Sequence, residues 1–259
     1  MKKHILLFSA LVLMASCSED DEAQDTAAPQ ILSATINGED HDLSFAAGDN
    51  LNFAADVSDN EELGQLKLDI HDAFDGHGHG KMASATWAHS QVIDLSGASA
   101  TATETLNVPD PVTAGPYHMV LRLLDAAGNE SEFVEVDFLL TNGGEPQFNI
   151  TDPDFSSEVH APKGQSLEIV GSITDDVDLD EIVITIAEEE EQDHDHKVAS
   201  GEIFTEDIDL GGSADTSFDL STVDILIPAN AETGHYELKI SAKDSDGNYA
   251  VFSAEIHVM

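Results

Sequence analysis

The sequence predicts an all-β protein made of two tandem immunoglobulin-like β-sandwich domains. Short stretches with alternating apolar and polar residues, such as LKLDIH, YHMVLRLL and FVEVDFLL, recur along the chain with Gly, Asn and Asp turns between them. That alternation is typical of half-buried strands, and no long segment has the helical period. The chain also repeats itself once, and about 110 residues with roughly seven short strands per copy favours the immunoglobulin-like sandwich.

The N-terminal segment has the features of a secretory signal. Two lysines precede an apolar run that ends at Met14, and small residues follow before Cys17. The run is too short and wrongly flanked for a membrane-spanning helix, so we assign residues 1–16 to a signal peptide outside the fold. Residues 17–28 are polar and acidic, which predicts a disordered tether.

The stretch Met14-Ala15-Ser16-Cys17 resembles a bacterial lipobox. In lipoproteins of that type, the cysteine becomes the lipidated first residue of the mature chain. The acidic run behind Cys17 also resembles the surface-export signal of some Gram-negative lipoproteins. The resemblance implies an outer-membrane lipoprotein on the cell surface, with the periplasmic face as the alternative location. An ordinary cleaved signal with an incidental cysteine is the competing interpretation.

The composition excludes several classes of protein. Once the signal is removed, 7 of the 9 basic side chains and all 52 acidic ones remain, which gives a formal charge of −45. A surface this negative repels nucleic acid and anionic lipid and attracts cations, although solubility in salty surroundings explains it equally well. Cys17 is the only cysteine, so disulfides, thiolate metal sites and cysteine nucleophiles are excluded. A transition-metal site would therefore consist of imidazole and carboxylate groups.

An internal repeat defines the domain organisation. Residues 48–71 match residues 164–187 at a constant offset of 116, and residues 114–133 match residues 233–252 at an offset of 119. The linker-like sequence TNGGEPQ separates the copies. Domain 1 is therefore expected at 29–141 and domain 2 at 142–259. In domain 1 we expect strands near 30–36, 50–56, 66–71, 82–94, 102–108, 116–125 and 131–140.

Histidines concentrate in the stretch HDAFDGHGHGK, which follows the predicted third strand. In LKLDIH the apolar residues share one face, so His71 points outward at the end of that strand. In YHMVLRL the same alternation turns His118 outward at the start of the sixth strand. The third and sixth strands are antiparallel neighbours in such a sandwich, so His71 and His118 should meet on one outer face.

The loop after His71 can add ligands to the same point. Glycines flank His77 and His79, which lets the backbone bend close, and Asp75 supplies a carboxylate. His89, at or within the next strand, is a candidate fourth imidazole.

Three imidazoles with a carboxylate or water form a familiar environment for Zn²⁺, with Cu²⁺ or Ni²⁺ as alternatives. A hard ion such as Ca²⁺ prefers oxygen ligands. Two other interpretations stay open: a solvated loop with unrelated surface histidines, and a cluster that senses acid by protonation near about pH 6.

The run VSDNEELGQLKLDIHDAFDGHGHGK, followed by Trp87, AGPYH and DAAGNES, resembles a lipoprotein-borne immunoglobulin-like family catalogued as domain of unknown function 4625. The likeness covers nearly all of copy one and, more weakly, copy two. Its most specific parts match at Asp72 to Lys81 and at Gly115 to His118. The resemblance implies a fold and a cell-surface lipoprotein context, and it implies no activity.

Copy two departs from copy one at the decisive positions. Ala187 stands in place of His71, and Glu237 in place of His118. Its loop EEEEQDHDHK keeps an HxH pair at His194 and His196, while His235 precedes the Tyr of the GxY motif. A second, weaker site from His194, His196, Glu237 and His235 is one interpretation, and a charged loop is the other.

The remaining motifs give weaker evidence about function. DSDGN resembles a fragment of a calcium loop, but DAAGN stands in the same place in copy one and both favour a hairpin turn. Acidic pairs at Asp59 to Glu62 and at Asp175-Asp176 are candidates for weak Ca²⁺ binding. Trp87 and Phe74 suggest either a sugar-stacking face or core residues. The sequence contains no nucleophile–base motif and no phosphate loop, so we expect a non-enzyme.

The sequence therefore predicts an outer-membrane lipoprotein that binds a divalent metal, Zn²⁺ first, for capture or for delivery to an outer-membrane transporter or another surface protein. A non-catalytic adhesion or scaffold module with incidental histidines is the alternative, as is a surface protein that binds Ca²⁺ weakly.

Overall fold

The computed structural model describes residues 25–74, 86–188, 201–211 and 214–259. Within these ranges the chain folds into two tandem all-β sandwiches, which confirms the predicted fold class. Across the same ranges, no helix has the length and apolar character needed to span a membrane.

Domain 1 packs a three-stranded sheet against a five-stranded sheet. The small sheet has the order β1-β3-β6 and the large sheet the order β2-β8-β7-β4-β5, with β2 parallel to β8. Alternate residues of the two sheets form one core, which includes Leu68, Tyr117 and Trp87. Within the described residues the strands are β1 (Gln30–Ile36), β2 (Leu43–Ala46), β3 (Asn50–Ser58), β4 (Leu63–Asp72), β5 (His89–Asp94), β6 (Ser99–Asn107), β7 (Gly115–Asp125) and β8 (Val134–Thr141).

Two differences from the predicted strands of domain 1 go beyond shifts of a few residues at strand ends. The short strand β2 was not predicted, because four residues that pair with a strand far along the chain leave almost no periodic signal. The fourth predicted strand was expected to begin at residue 82, but residues 86–88 are not strand and β5 begins at His89. Trp87, just before β5, is 7% exposed and lies in the core, which confirms the core interpretation over a sugar-stacking face.

Domain 2 repeats the architecture. Its large sheet has the order β10-β18-β17-β13-β14 and its small sheet the order β15-β12-β9, with a two-stranded pair β11-β16 beside them. The described elements are β9 (Gln147–Asp152), β10 (Val159–Ala161), β11 (Ser166–Leu167), β12 (Val170–Thr174), β13 (Leu179–Glu188), β14 (Phe204–Asp209), β15 (Ser217–Asp219), a 3₁₀ turn (Leu220–Thr222), β16 (Ile225–Leu226), β17 (Gly234–Asp244) and β18 (Tyr249–Val258).

A buried tyrosine fixes the start of the same strand in each copy. The hydroxyl of Tyr117 donates to the carbonyl of Thr113 at 3.0 Å and accepts the N–H of Trp87 at 3.3 Å. In domain 2 the hydroxyl of Tyr236 donates to the carbonyl of Glu232 at 3.3 Å. A tyrosine that bonds back to the backbone a few residues upstream is the tyrosine corner of immunoglobulin-like sandwiches. Burial raises the pKa of Tyr117 to about 12, so the hydroxyl stays protonated and can donate.

The turn between β17 and β18 joins domain 2 to domain 1. The side-chain oxygen of Asn248 accepts the N–H of Ala114 at 3.0 Å and a hydrogen of the Asn142 amide at 2.7 Å. Beside it, the ring of Phe74 stacks on Tyr249 with centroids 4.6 Å apart. A Cβ at Gly115, whose φ is +142°, would come within 2.3 Å of the Phe74 ring. Glycine is therefore required where β7 begins, next to the point where the histidine-rich loop departs.

Replacing Tyr117 by Phe should destabilise domain 1 by about 1–3 kcal/mol, because a buried carbonyl and a buried N–H would each lose a partner. Urea unfolding followed by tryptophan fluorescence measures this, since Trp87 is the only tryptophan and lies in domain 1. Tyr236→Phe is the control and should leave the Trp87 transition in place. An unchanged urea midpoint for Tyr117→Phe would show that the tyrosine corner does not contribute to the stability of domain 1.

Candidate metal centre

His71 and His118 lie directly opposite each other on neighbouring antiparallel strands. Strand β4 pairs with β7 so that the two histidines are Cα partners. Ile70 and Met119, adjacent to them in sequence, are 2% and 0% exposed in the core, so both imidazoles point to the outer face. Their ring centroids are 5.7 Å apart with an angle of 47° between the planes. The structure therefore brings together the two histidines that strand alternation predicts to meet.

This separation is close to what a shared ion requires. Two imidazoles on one tetrahedral Zn²⁺ have nitrogens about 3.3 Å apart and ring centroids about 5 Å apart, given Zn–N bonds of about 2.0–2.1 Å. A small rotation of either side chain closes the difference from the observed 5.7 Å. His71 is exposed and His118 is half-buried, so neither rotation disturbs the core.

Two carboxylates from β8 lie beside His118. Its Nδ1 is 2.6 Å from Oδ1 of Asp137, its cross-strand partner, and 2.9 Å from Oε1 of Glu135. Histidines that bind metals usually donate their other ring N–H to a carboxylate, which fixes the ring and makes it a better ligand. Asp137 can orient His118 in this way, with Nε2 as the metal ligand.

The outer face next to His71 holds another charged carboxylate. Burial raises the pKa of Asp69, but hydrogen bonds from Lys67 and Ser90, with the charges of Lys67 and Arg122, lower it overall. The Lys67 Nζ lies 2.6 Å from Oδ2 of Asp69. Asp69 is therefore an anion two residues before His71, although Lys67 already neutralises much of its charge.

The strand pairing disfavours His89 as the fourth ligand that the sequence suggested. Strand β5 pairs with β4 so that His89 is opposite Ile70, not His71. Directly opposed residues project from the same face of a sheet, so His89 projects from the face opposite to that of His71. There its Nε2 is 3.3 Å from the side-chain oxygen of Gln91, and its ring is near Trp87.

The remaining predicted ligands lie outside the described residues. Asp75, His77 and His79 belong to the segment between Phe74 and Thr86. Their roles, together with that of Cys17 as the lipidation site, stay predictions. His194 and His196 of domain 2 also lie outside the described ranges.

The family described as "Domain of unknown function (DUF4625)" matches twice, over residues 15–141 and 135–259. The chain belongs to this family. It contains two DUF4625 copies in tandem, which confirms the resemblance seen in the sequence. No curated protein matches the sequence.

Solved structures give only weak likenesses to the two DUF4625 copies. Fibronectin(III)-like modules of Clostridium thermocellum CbhA match at 17% identity over 87% of this chain and 94% of theirs, with a TM-score of 0.26. A tetra-tandem repeat from the extending region of a large adhesion protein matches at 17% identity over 90% and 50%, with a TM-score of 0.35. A chimeric titin Z1Z2 tandem matches at 12% identity over 89% and 99%, with a TM-score of 0.32. Likenesses this weak bear on neither substrate nor partner.

The second DUF4625 copy brings a different set of histidines together. Glu237 is the Cα partner of Ala187 and Glu255, so the position of His71 and His118 holds no imidazole here. His235, two residues earlier, stacks on His257 with centroids 4.9 Å apart and contacts Glu255 through Nδ1. His235 was expected to join Glu237 and the loop histidines, but its histidine neighbour among the described residues is His257.

The DAAGN and DSDGN sequences of the two DUF4625 copies form turns, as expected. Asn129 donates its backbone N–H and side-chain amide to Asp125, at 2.7 and 2.6 Å, and Asn248 does the same for Asp244 at 2.7 and 2.8 Å. Burial raises the pKa of Asp125, but the hydrogen bonds from Asn129 and nearby backbone groups outweigh it, and the pKa is lowered. For Asp244 burial dominates, and the pKa is raised.

Acidic side chains also meet in the loops before β4 and β13. Carboxylate oxygens of Asp25, Asp59 and Asp125 lie within 4.8 Å of one another in domain 1. Oδ1 of Asp59 is buried without a hydrogen-bond partner among the described residues, and the same is true of Oδ2 of Asp175 in domain 2. Burial, with the charge of Asp244 as a further cause, raises the pKa of Asp175.

Asp175→Asn should stabilise domain 2 at neutral pH. Because the folded-state pKa of Asp175 is raised, its stabilising contribution is present below about pH 4 and is lost as the pH rises through the folded pKa. Removing the charge should raise the melting temperature of domain 2 by roughly 4 °C at pH 7, corresponding to about 1 kcal/mol, and by much less near pH 4.

Calorimetric melting in EDTA measures this effect, with the exposed neighbour substitution Asp176→Asn as the control. Equal shifts for the two variants, or a larger Asp175→Asn effect at low pH than at pH 7, would contradict the assignment.

Proposed function

We propose that this protein is a cell-surface lipoprotein that binds a divalent transition metal ion, Zn²⁺ first, at the outer face of its first domain. The observation that carries the proposal is the cross-strand pair of His71 and His118, with ring centroids 5.7 Å apart. Asp137 and Glu135 beside His118 supply the carboxylate that such sites contain.

The type of ligand favours a transition metal over calcium at this position. Imidazole suits Zn²⁺, Cu²⁺ and Ni²⁺, whereas Ca²⁺ takes six to eight oxygen ligands. His77, His79 and Asp75 follow His71 closely in sequence and are proposed as the ligands that complete the coordination.

The biological role we propose is capture of the ion or its delivery to an outer-membrane transporter. A lipid on Cys17 would hold the protein at the outer membrane, and the tether would let the domains reach away from it. A charge of −45 raises the local concentration of cations around the chain. The role requires binding and release only, so no catalytic step is proposed.

Two alternatives from other classes remain. One is an adhesion or scaffold module of immunoglobulin-like domains whose histidines are incidental. The other is weak Ca²⁺ binding. It is favoured by Oδ1 of Asp59, which lies near Asp25 and Asp125 and is buried without a hydrogen-bond partner among the described residues. Ca²⁺ would act at that loop, at the opposite end of β4 from His71.

Isothermal titration with Zn²⁺, Cu²⁺, Ni²⁺ and Ca²⁺ tests the proposal on the chain from Cys17 onward, carrying Cys17→Ser so that no thiol competes. Loss of a residue that only orients a ligand weakens metal binding by roughly 10–100-fold. His71→Ala and His118→Ala each remove a proposed ligand, so each should weaken Zn²⁺ binding in domain 1 by more than this. Asp137→Asn should weaken it by about tenfold.

His89→Ala is the matched control, because His89 projects from the other face and should leave the affinity unchanged. If neither His71→Ala nor His118→Ala alters Zn²⁺ binding, the metal proposal is contradicted and the scaffold alternative is left. Binding of Ca²⁺ that Asp59→Asn removes, without transition-metal binding, would favour the calcium alternative.

A further inference from the structure

A row of three histidines crosses three adjacent strands on the outer face of domain 2. His235 of β17 is the Cα partner of His257 of β18, and His257 is in turn the partner of His160 of β10. Their neighbours Tyr236, Ile256 and Val159 are buried, so all three imidazoles face outward. None of these three positions corresponds to His71 or His118.

The rings are as close as those of domain 1. The centroids of His160 and His257 are 5.7 Å apart, and those of His235 and His257 are 4.9 Å apart with nearly parallel planes. One ligand atom each from Glu158, His160 and His257 already lie within 4.8 Å of one another. Ligand atoms around tetrahedral Zn²⁺ are about 3.3 Å apart, so the ligand atoms would have to approach one another by at most about 1.5 Å to reach that geometry.

The central histidine, His257, has a buried ring nitrogen, Nδ1, without a hydrogen bond within the described residues. Oε1 of Glu158 lies 3.4 Å from it, close enough for an ion pair but without hydrogen-bond geometry. A buried nitrogen without a hydrogen bond destabilises the folded chain, and an ion bound between Glu158 and His257 would relieve this.

The row is specific to the second copy. The equivalent row of domain 1 contains Pro116, Leu139 and Ser44, which offer no imidazole. The row also lies at the start of β17, about 30 Å along the strand from the turn that contacts domain 1. This end of domain 2 is therefore well separated from the His71–His118 pair.

We propose that Glu158, His160 and His257 bind a divalent transition metal ion at the far end of domain 2, with His235 as a further ligand. Two imidazoles and one carboxylate suit Zn²⁺ or Cu²⁺ and leave a position for His235 or solvent. The site goes beyond the proposed function of domain 1 and stands whether or not that domain binds metal. Both sites together would give the chain a capacity of two ions.

The test uses a variant in which the row of domain 2 histidines is the remaining candidate metal site. The protein begins at Cys17 and carries Cys17→Ser. Alanine replaces the other candidate ligands, namely His71, His77, His79, His118, His194 and His196. Titration of this variant with Zn²⁺ should show one ion bound per chain. Adding His257→Asn should weaken binding at least about 100-fold, and Glu158→Gln by about tenfold. His89→Asn is the matched control and should change nothing.

Electron paramagnetic resonance of the Cu²⁺-loaded variant gives an independent reading. Hyperfine lines from the imidazole nitrogens should be present, and their number should decrease in the His160→Asn variant. Because His160 is exposed, this variant should fold normally even if His257→Asn does not. Failure of the isolating variant to bind either metal would overturn the site. So would binding that survives both His257→Asn and His160→Asn. Neither result bears on the domain 1 site, because its candidate histidine ligands His71, His77, His79 and His118 are absent from this background.

Discussion

The burial of alternate residues in the large sheet of each domain determines everything proposed about the outer face. Ile70, Tyr117 and Met119 are held in the core, so the residues between them must point to solvent. A shift of the β4–β7 pairing by one residue would turn the whole apolar set outward, and the core therefore fixes the register. His71 faces His118 because their buried neighbours cannot be placed otherwise.

The two copies use the same scaffold with different ligand positions. In domain 1 the imidazoles occupy the row of His118, and in domain 2 they occupy the row of His235, two residues nearer the start of the equivalent strand. A step of two residues keeps the side chains on the outer face and moves the site by about 7 Å along the strand. Exposed positions tolerate such changes, because the tyrosine corners and cores do not depend on them.

The sequence predicts those features of the structure that follow from nearby residues and from the alternation of apolar and polar side chains. Those features include the β1 boundaries, the outward direction of His71, and its meeting with His118, since the order of strands in the sandwich is known in advance. It does not reveal His160 opposite His257, because the two residues are far apart in the chain and meet through a parallel pairing of a three-residue strand. The sequence also does not reveal from which face of the sheet His89 projects, because a shift of one residue in the pairing of β4 with β5 would reverse it.

The most direct test of the account is a zinc-edge anomalous difference map from crystals of the chain from Cys17 onward grown with Zn²⁺. If both sites bind Zn²⁺, one peak is expected between the imidazoles of His71 and His118 and another beside His257, each about 2 Å from ring nitrogens. Peaks confined to the carboxylates of the turns and loops, with none at either histidine cluster, would contradict it.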